Sequence, residues 1–160
     1  MKDFLLIANK NCATYKEVFP LFKRGIVSFG SPVKEYEGTD RKFGNHGWIT
    51  TFPVANKKKL VLTATYDPER YPMYDNYDAI EVSRIKNIPY DYDGTMGVPI
   101  TILDYDLDNV EIMGMAAGNS AVNGFGSQAG YTRNKKDRGV CPVLDDERIY
   151  TRILIRRKQL

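Results

Sequence analysis

The sequence predicts an α/β fold with an α+β tendency, and three observations support this prediction. An apolar run at 4–8 is followed by a helical pattern and a second apolar run. Short runs rich in β-branched and aromatic residues then recur, with proline- and glycine-rich connections between them. Residues 148–156 close the chain with a strong strand pattern. A strand–helix–strand unit followed mainly by strands is typical of a mixed fold.

The opening unit begins with the run Phe4–Ala8. Because this run is apolar at every position, we expect a strand buried on both faces in a parallel sheet. A helix should begin at Thr14, whose side chain can form a capping box with Glu17, and should end at Gly25. Residues 26–29 form the next predicted strand.

The remaining elements are predicted to be short strands joined by irregular segments. Strands at 48–52 and 60–66 are separated by a lysine-rich connection, which favours an antiparallel pair. The other predicted elements are a loop at 31–47, an irregular segment at 67–97 with a short strand at 80–82, a helical turn at 98–105, a strand at 110–115 paired with 148–156, and a mobile loop at 117–139.

Length and composition favour a single globular domain over 1–160. The 160 residues are 42% hydrophobic and 27% charged, which is enough apolar content for a core. Within this domain we expect sheet in 1–66, and an irregular segment plus closing antiparallel strands in 67–160. The apolar runs are too short to span a membrane and no signal-peptide pattern is present. We therefore expect no membrane partner and a cytoplasmic location.

Cysteine and histidine usage limits the chemistry. Cys12 and Cys141 are the only cysteines, so we expect two free thiols rather than a zinc cluster or a disulfide framework. His46 is the only histidine, which excludes a histidine-rich metal site. No serine lies in a Gly-x-Ser-x-Gly motif, so nothing indicates a hydrolase of that kind.

Basic residues are concentrated in clusters, although the formal net charge is only +3. Such clusters suit contacts with DNA phosphates, whose strength falls with salt. The alternative for each cluster is a solvated loop. The candidate DNA contacts in the two internal clusters are Lys57, Lys58, Lys59, Arg133, Lys135 and Lys136.

Four further residues are candidates for contact with DNA. Asn9 and Asn11 follow the first predicted strand at its carboxyl end, where their alternative role is to form a turn and a helix cap. Asn45 and His46 precede Trp48, and the alternative for His46 is a loop histidine with satisfied hydrogen bonds. Trp48 itself is expected in the core rather than as a stacking platform.

The tyrosine–aspartate segment, residues 74–113, combines these two residue types at a density that no simple periodicity requires. Its aspartates resemble calcium loops, but position twelve counted from Asp91 is Ile102 rather than glutamate, so no metal site is predicted. We expect the carboxylates to cap turns and to pair with basic residues. The tyrosines should form a wall against the sheet rather than a row of base-stacking platforms.

Four motifs occur in one order along the chain: FLLIANKNCATYKEVFPLFKRG, GNHGWITTFPV, YPMYDNYDAIEV and IPYDYDGTMGVPITILD. Each resembles a segment of the EcoRI-type adenine-specific DNA methyltransferases, and together the resemblance covers 4–157. It implies a partial Rossmann-like methyltransferase sheet with a strand-rich carboxyl-terminal extension. It also implies that the chain is the carboxyl-terminal part of an adenine-N6 DNA methyltransferase of the restriction–modification type.

Two family motifs are absent from this sequence. No Pro-Pro dipeptide occurs, so the Asn-Pro-Pro-Phe motif that holds the target base is missing, and no glycine-rich turn follows a first strand. The family cofactor is S-adenosylmethionine. For this chain alone we expect no cofactor, no catalytic residue, no cofactor-binding residue and no metal, and therefore no methyl transfer. The resemblance leaves an alternative, a non-catalytic DNA- or partner-binding module, or a remnant that keeps only the fold.

Two partners are expected. The first is double-stranded DNA, because base-modifying enzymes need elements that hold the DNA backbone. The second is another chain or copy that pairs at an exposed sheet edge near Phe4–Ala8.

Overall fold

The computed structural model describes residues 2–33, 38, 44–117 and 130–158. The chain divides into two compact units. Unit 1 contains Met1–Lys58 and Leu103–Asp106, and unit 2 contains Lys59–Ile102 and Leu107–Leu160. This division does not test whether the chain is one folding domain, so that expectation stays a prediction.

Strands predominate over helices, which confirms the mixed α/β class. The strands are β1 (Leu5–Asn9), β2 (Ser28–Pro32), β3 (His46–Thr50), β4 (Lys58–Lys59), β5 (Ala79–Glu81), β6 (Thr95–Val98), β7 (Tyr105–Asp106), β8 (Val110–Ala116), β9 (Val143–Leu144), β10 (Glu147–Arg148) and β11 (Arg152–Arg157). The helices are α1 (Phe19–Lys23) and the 3-10 turns Lys10–Thr14, Ile85–Asn87 and Ile100–Asp104. In the described part of the chain, no helix is long and apolar enough to cross a membrane.

Unit 1 is built on a three-stranded antiparallel sheet with the order β1-β3-β2. One face of this sheet carries the core, in which Ile49 and Phe29 are buried and the Phe29 ring lies 4.5 Å from that of Phe22. The other face is open, because Ile7 and Trp48 are cross-strand partners and each is 36% exposed. The expectation that Trp48 belongs to the core is therefore wrong.

The prediction that Phe4–Ala8 is a buried parallel strand is also wrong. β1 pairs antiparallel with β3 and is the edge strand of its sheet. Leu5, Leu6 and Ile7 are all exposed. An apolar run predicts burial only if both flanking strands are present, and the described part of unit 1 supplies one of them.

The predicted helix from Thr14 to Gly25 is shorter than expected. α1 covers only Phe19–Lys23, and its N-cap residue is Val18 rather than Thr14. The Thr14 hydroxyl instead donates a 2.8 Å hydrogen bond to the Asn11 carbonyl. A proline in the first turn fixes the helical backbone there. Gly25 has a φ of +68°, which confirms it as the residue that ends the helix.

Unit 2 is built on a four-stranded sheet with the order β5-β6-β11-β8. β5 and β6 are parallel, whereas β11 is antiparallel to both β6 and β8. The pairing of β8 with β11 confirms the predicted partnership of 110–115 and 148–156, and β5 confirms the short strand at 80–82. The 3-10 turn Ile100–Asp104 confirms the helical turn after Pro99.

The predicted strand pair of 48–52 with 60–66 is wrong. β3 pairs with β1 and β2, and 60–66 contributes only an isolated bridge between Ala64 and Pro89. Two hydrogen bonds with a loop replace the strand ladder: the Tyr90 amide donates to the Ala64 carbonyl, and the Tyr66 amide donates to Asp91 Oδ1.

Two predicted loops lie partly outside the described residues. For the loop at 31–47 these are 34–37 and 39–43, and β2 and β3 occupy its two ends. For the loop at 117–139 they are 118–129. The rest of that loop, 130–139, is turn-rich, and within it Asp137 accepts hydrogen bonds from Tyr131 and Asn134.

Candidate nucleic-acid interface

The asparagine cluster, which contains Asn9, Asn11, Asn45 and His46, lies at one end of the unit 1 sheet. Asn9 opposes His46 in the β1–β3 register. The Asn11 amide donates 2.9 Å to Asn9 Oδ1, and Asn45 Nδ2 donates 2.9 Å to Asn11 Oδ1. The structure therefore brings together all four residues that the sequence selected. These bonds confirm the turn and cap roles of Asn9 and Asn11, and His46 lies in β3 rather than in a loop, while contact with DNA stays a prediction.

The lining of a cavity of about 490 Å³ in unit 1 includes three lysines and one aspartate among mainly neutral residues. Lys10 Nζ lies 2.6 Å from Asp104 Oδ1 and 5.3 Å from the centre of the Phe29 ring. Burial lowers the pKa of Lys57, an effect that the carboxylates of Asp106 and Asp104 oppose. A half-buried ammonium whose pKa is lowered in this way favours an anion in its surroundings.

The three consecutive lysines do not form one cluster. Lys57 and Lys58 line the cavity, and Lys58 Nζ lies 5.9 Å from the centre of the Tyr105 ring. Lys59 is exposed, does not line the cavity and belongs to unit 2. Although the three lysines are adjacent in the sequence, only Lys57 and Lys58 share a site.

Glu81 of the tyrosine–aspartate segment forms a buried ion pair with Arg152 of β11 in unit 2. Arg152 Nη2 lies 2.7 Å from Glu81 Oε1, and the two side chains are 14% and 9% exposed. The Tyr74 hydroxyl donates to Glu81 Oε2 and lies 3.3 Å from the Gly97 carbonyl oxygen. Burial first, and the Glu81 charge second, raise the pKa of Tyr74. The network is internally satisfied, so it acts as structural support rather than as an acid–base centre.

Gly97 belongs to the Met-Gly-Val-Pro-Ile-Thr part of this segment. A Cβ at this position would overlap the Tyr74 hydroxyl and would lie 2.7 Å from Tyr74 Cζ. Glycine is therefore required by the close approach of the tyrosine to the β6 backbone. Sequence reasoning missed this contact, because the two residues are separated along the chain and no local pattern pairs them.

The Tyr-Asp-Asn-Tyr part of the segment binds the backbone of 140–143. Asn76 Nδ2 donates 2.8 Å to the Cys141 carbonyl, and Asn76 Oδ1 accepts a 2.8 Å bond from the Val143 amide. The Tyr77 hydroxyl donates 2.6 Å to the Val140 carbonyl. Tyr71, Tyr74 and Tyr77 are buried, which confirms the predicted tyrosine wall at these three positions, whereas Tyr90 is 50% exposed and does not belong to it.

The basic loop, residues 131–140, is organised around the buried carboxylate of Asp137. Asp137 Oδ2 accepts a 2.6 Å bond from the Tyr131 hydroxyl and a 3.0 Å bond from the Asn134 amide. Burial alone would raise the pKa of Asp137, but these bonds and others from Gly139 and Asn76 outweigh it and lower the pKa. Burial and the bond to Asp137 raise the pKa of Tyr131 to about 12.

The side chains that point out of this loop are cationic. Lys136 Nζ lies 3.6 Å from Asp146 Oδ2, in an ion pair whose members are both exposed. Its neighbours Arg133, Lys135 and Arg138 are exposed as well. The sequence selects Arg133, Lys135 and Lys136, and the structure places them on one loop with a hydrogen-bonded interior.

The aspartates of the tyrosine–aspartate segment have the structural roles expected of them. Asp75 Oδ2 accepts a 2.8 Å bond from the Asp146 amide, and Asp93 lies 3.4 Å from Arg157 Nη1. Among the described residues, no group of three or more His, Cys, Asp or Glu side chains could hold a metal ion.

The two cysteines are free thiols. Burial raises the pKa of both Cys12 and Cys141. Both sulfurs are therefore protonated at neutral pH, and neither is an activated nucleophile.

Comparison with known proteins identifies the class to which this fold and these motifs belong. The family described as adenine-specific methyltransferase EcoRI matches residues 31–158. The chain therefore belongs to the EcoRI-type adenine-specific methyltransferase family, which confirms the resemblance found in the sequence. No solved structure matches the chain.

Three similar proteins are named as type II methyltransferases. The type II methyltransferase M.EcoRI of Escherichia coli is 36% identical over an alignment of 186 positions, gaps included, which covers 99% of this chain and 51% of that protein. Type II methyltransferases of Mycoplasma genitalium (M.MgeORF184P) and Mycoplasma pneumoniae (M.MpnI) are 26% and 25% identical, and the alignments cover 99% of this chain and 58% and 57% of those proteins. The chain thus spans about half the length of the curated relatives it matches.

Proposed function

We propose that this chain is the carboxyl-terminal, DNA-holding part of an adenine-N6 DNA methyltransferase of the restriction–modification type, and that it does not transfer methyl groups alone. One observation carries the proposal: the chain matches the family over 31–158, yet its sequence has no Asn-Pro-Pro-Phe motif. Of the four motifs that remain, YPMYDNYDAIEV supplies side chains that support the fold of unit 2. We further propose that the protein acts in the cytoplasm.

The cofactor of the parent family does not fit the residues described. S-adenosylmethionine carries positive charge on its sulfonium and its amino group and negative charge on its carboxylate, so its net charge is positive and its site favours carboxylates. The cavity of unit 1 is lined instead by Lys10, Lys57 and Lys58, with Asp104 already paired with Lys10. Cations repel one another in such a space. No reaction step is therefore assigned to the cofactor in this chain.

The same cavity suits an anion better than a cation. Lys57 and Lys58 have no ion pair with a carboxylate within 4 Å in the part of the chain that the structure describes. A DNA phosphate next to them would restore the charge balance that burial of Lys57 disturbs. This supports a role in holding the DNA backbone, which enzymes that extrude a base require.

We also propose that the free edge of β1 pairs with a strand of another chain or copy, as part of a Rossmann-like sheet. Leu5, Leu6 and Ile7 are exposed on the edge strand of unit 1, although their composition is that of a buried strand. An unpaired apolar edge binds further strands or aggregates unless it is covered. A second strand at this edge would provide the burial that the sequence pattern requires.

Two titrations of the purified full chain test the proposal. In calorimetry, S-adenosylmethionine is expected to give no binding heat, and measurable affinity would overturn the absence of a cofactor site. With a duplex DNA probe, we expect binding that weakens as salt is raised. Failure to bind duplex DNA even at low ionic strength would remove the DNA-holding role.

The alternative function is a non-catalytic DNA- or partner-binding module derived from the same family. It is supported by the same network around Glu81 and Arg152, which stabilises a fold and offers no group for catalysis. Mixing the chain with the half of the E. coli relative that it does not match separates the two functions. Methylation of adenine in the mixture supports a part of a methyltransferase, whereas persistent DNA binding without methylation favours the module.

A further inference from the structure

We propose that the basic loop, residues 131–140, is a preorganised contact for the phosphates of duplex DNA, with Arg133, Lys135 and Arg138 as the contacting residues and Asp137 as the positioning residue. This inference rests on the proposed function and deepens it, because it assigns the contact to one loop of unit 2. It also adds Arg138, which the sequence did not select, and gives Asp137 a role in binding.

The charges of this loop are available to a ligand. Arg133, Lys135 and Arg138 are exposed, and none of them has an ion pair with a carboxylate within 4 Å among the residues described. Lys136 differs, since it lies 3.6 Å from Asp146 and is partly neutralised. Three unpaired cations within six residues give a local positive field suited to a polyanion.

The interior of the loop is held in one conformation by buried bonds. Asp137 accepts from both the Tyr131 hydroxyl and the Asn134 amide, and the Cys141 amide donates 3.0 Å to the Asp137 carbonyl. Asn76, which is 1% exposed, binds the next turn of the chain. A loop fixed in this way loses less conformational entropy when it binds than a flexible loop of the same charge.

The backbone of the loop also has an unfavourable geometry. Arg138 has a φ of +31° and Val140 has a φ of +74°, a region that a β-branched residue rarely adopts. The Tyr77 hydroxyl holds the Val140 carbonyl in this conformation through a 2.6 Å bond. Strain that is maintained by surrounding bonds is found where a segment must present its side chains in a fixed arrangement.

The form of the charged surface favours a DNA backbone over a small anion. The three cations are exposed residues of a turn-rich segment, and none of them lines the cavity of unit 1. Successive phosphates along a duplex offer each cation its own partner. Such contacts position a protein on DNA without reading its sequence.

The salt dependence of DNA binding tests this assignment. Fluorescence anisotropy of a labelled 20-base-pair duplex (about two helical turns, long enough for nonspecific binding) is measured with the full chain across a series of salt concentrations. The combined variant Arg133→Ala/Lys135→Ala/Arg138→Ala should lower the slope of log affinity against log salt by about 2 to 3, since each phosphate contact contributes about 0.9. The matched control, Arg84→Ala/Lys86→Ala, removes two exposed cations of unit 2 and should leave the slope unchanged.

The positioning role has a separate readout. Asp137→Asn keeps every cation, so the salt slope should stay that of the wild type. Affinity should fall about tenfold, because ordering even one more backbone residue on binding costs about that factor. Circular dichroism establishes that the variant is folded at the assay temperature. If the Asp137→Asn variant has lower thermal stability but the same DNA affinity as the wild type, the role of Asp137 is purely structural, which contradicts the positioning role.

The outcomes distinguish this inference from the function on which it rests. Wild-type chain that does not bind duplex DNA contradicts the proposed function and this inference together. Wild-type chain that binds, with the same slope in the triple variant, contradicts only the basic loop. An equal loss of slope in the Arg84→Ala/Lys86→Ala control would mean that diffuse charge is responsible, which also overturns the assignment.

Discussion

Replacement of Gly97 by alanine should destabilise unit 2 severely. The added Cβ would overlap the Tyr74 hydroxyl and lie 2.7 Å from Tyr74 Cζ, which is closer than real Cβ contacts. The φ of Gly97 is not in the left-handed region, so the backbone itself accepts alanine. The penalty therefore arises from the displaced tyrosine ring, which is 5% exposed and has little space to move.

The magnitude follows from the two interactions that the movement disturbs. Overpacking of a core costs about 1–3 kcal/mol. Loss of the bond from the Tyr74 hydroxyl to the Glu81 carboxylate adds about 1.5–3 kcal/mol, because that acceptor is charged and buried. We expect a loss of about 3–5 kcal/mol in the free energy of unfolding, a large part of the total for a chain of this size. The thermal midpoint should fall by roughly 6–20 °C.

Thermal unfolding followed by circular dichroism measures this loss, and Gly44→Ala is the matched control. A Cβ at Gly44 would meet nothing within 4 Å, so that variant should unfold within about 0.5 kcal/mol of the wild type. In a Tyr74→Phe background the Gly97→Ala penalty should shrink, since the overlapping hydroxyl is gone. A Gly97→Ala protein that melts with the wild type would refute the close approach of Tyr74 to β6.

Three further predictions concern charge in unit 2. Arg152→Met should lower the free energy of unfolding in urea by about 3–5 kcal/mol, because it leaves the Glu81 carboxylate buried without its ion-pair partner. Adding Glu81→Gln should restore part of this loss, and strictly additive effects of the two changes would contradict the ion pair. The lowered pKa of Asp137 stabilises the fold above its unfolded pKa, so stability should fall as pH drops below about 4, and Asp137→Asn should flatten this acid limb. The raised pKa of Tyr131 stabilises the fold below pH 10, and this contribution should be lost between pH 10 and about 12; an unchanged alkaline limb in Tyr131→Phe would count against it.

The sequence predicts those strands correctly whose apolar pattern is enough to identify them. β8 and β11 are such strands, because each has a run of apolar residues, and the structure pairs them as predicted. The orientation and exposure of Phe4–Ala8 could not be predicted. An apolar run indicates that a strand is suited to burial, but it does not identify the strands that pair with it. Residues 60–66 also look like a strand, but hydrogen bonds with the loop around Tyr90 and Asp91 replace the ladder.

The residues of the asparagine cluster could be predicted from the sequence, but the contacts between them could not. Asn9 and Asn11 were selected separately from Asn45 and His46, and the β1–β3 register brings the two pairs together. The support of the basic loop by Asn76 was not predictable, because it joins residues 65 positions apart through backbone carbonyl and amide groups. Backbone acceptors carry no sequence signal, so only the fold shows which loop the tyrosine–aspartate segment holds.

We propose that this chain holds DNA as part of an EcoRI-type adenine methyltransferase and does not transfer methyl groups alone. The most direct measurement is the transfer of labelled methyl groups from S-adenosylmethionine to duplex DNA by the purified full chain, with M.EcoRI of E. coli as the active comparison. The account predicts no incorporation by the chain while the comparison enzyme labels its DNA. Incorporation of label into adenine by this chain alone would contradict the claim.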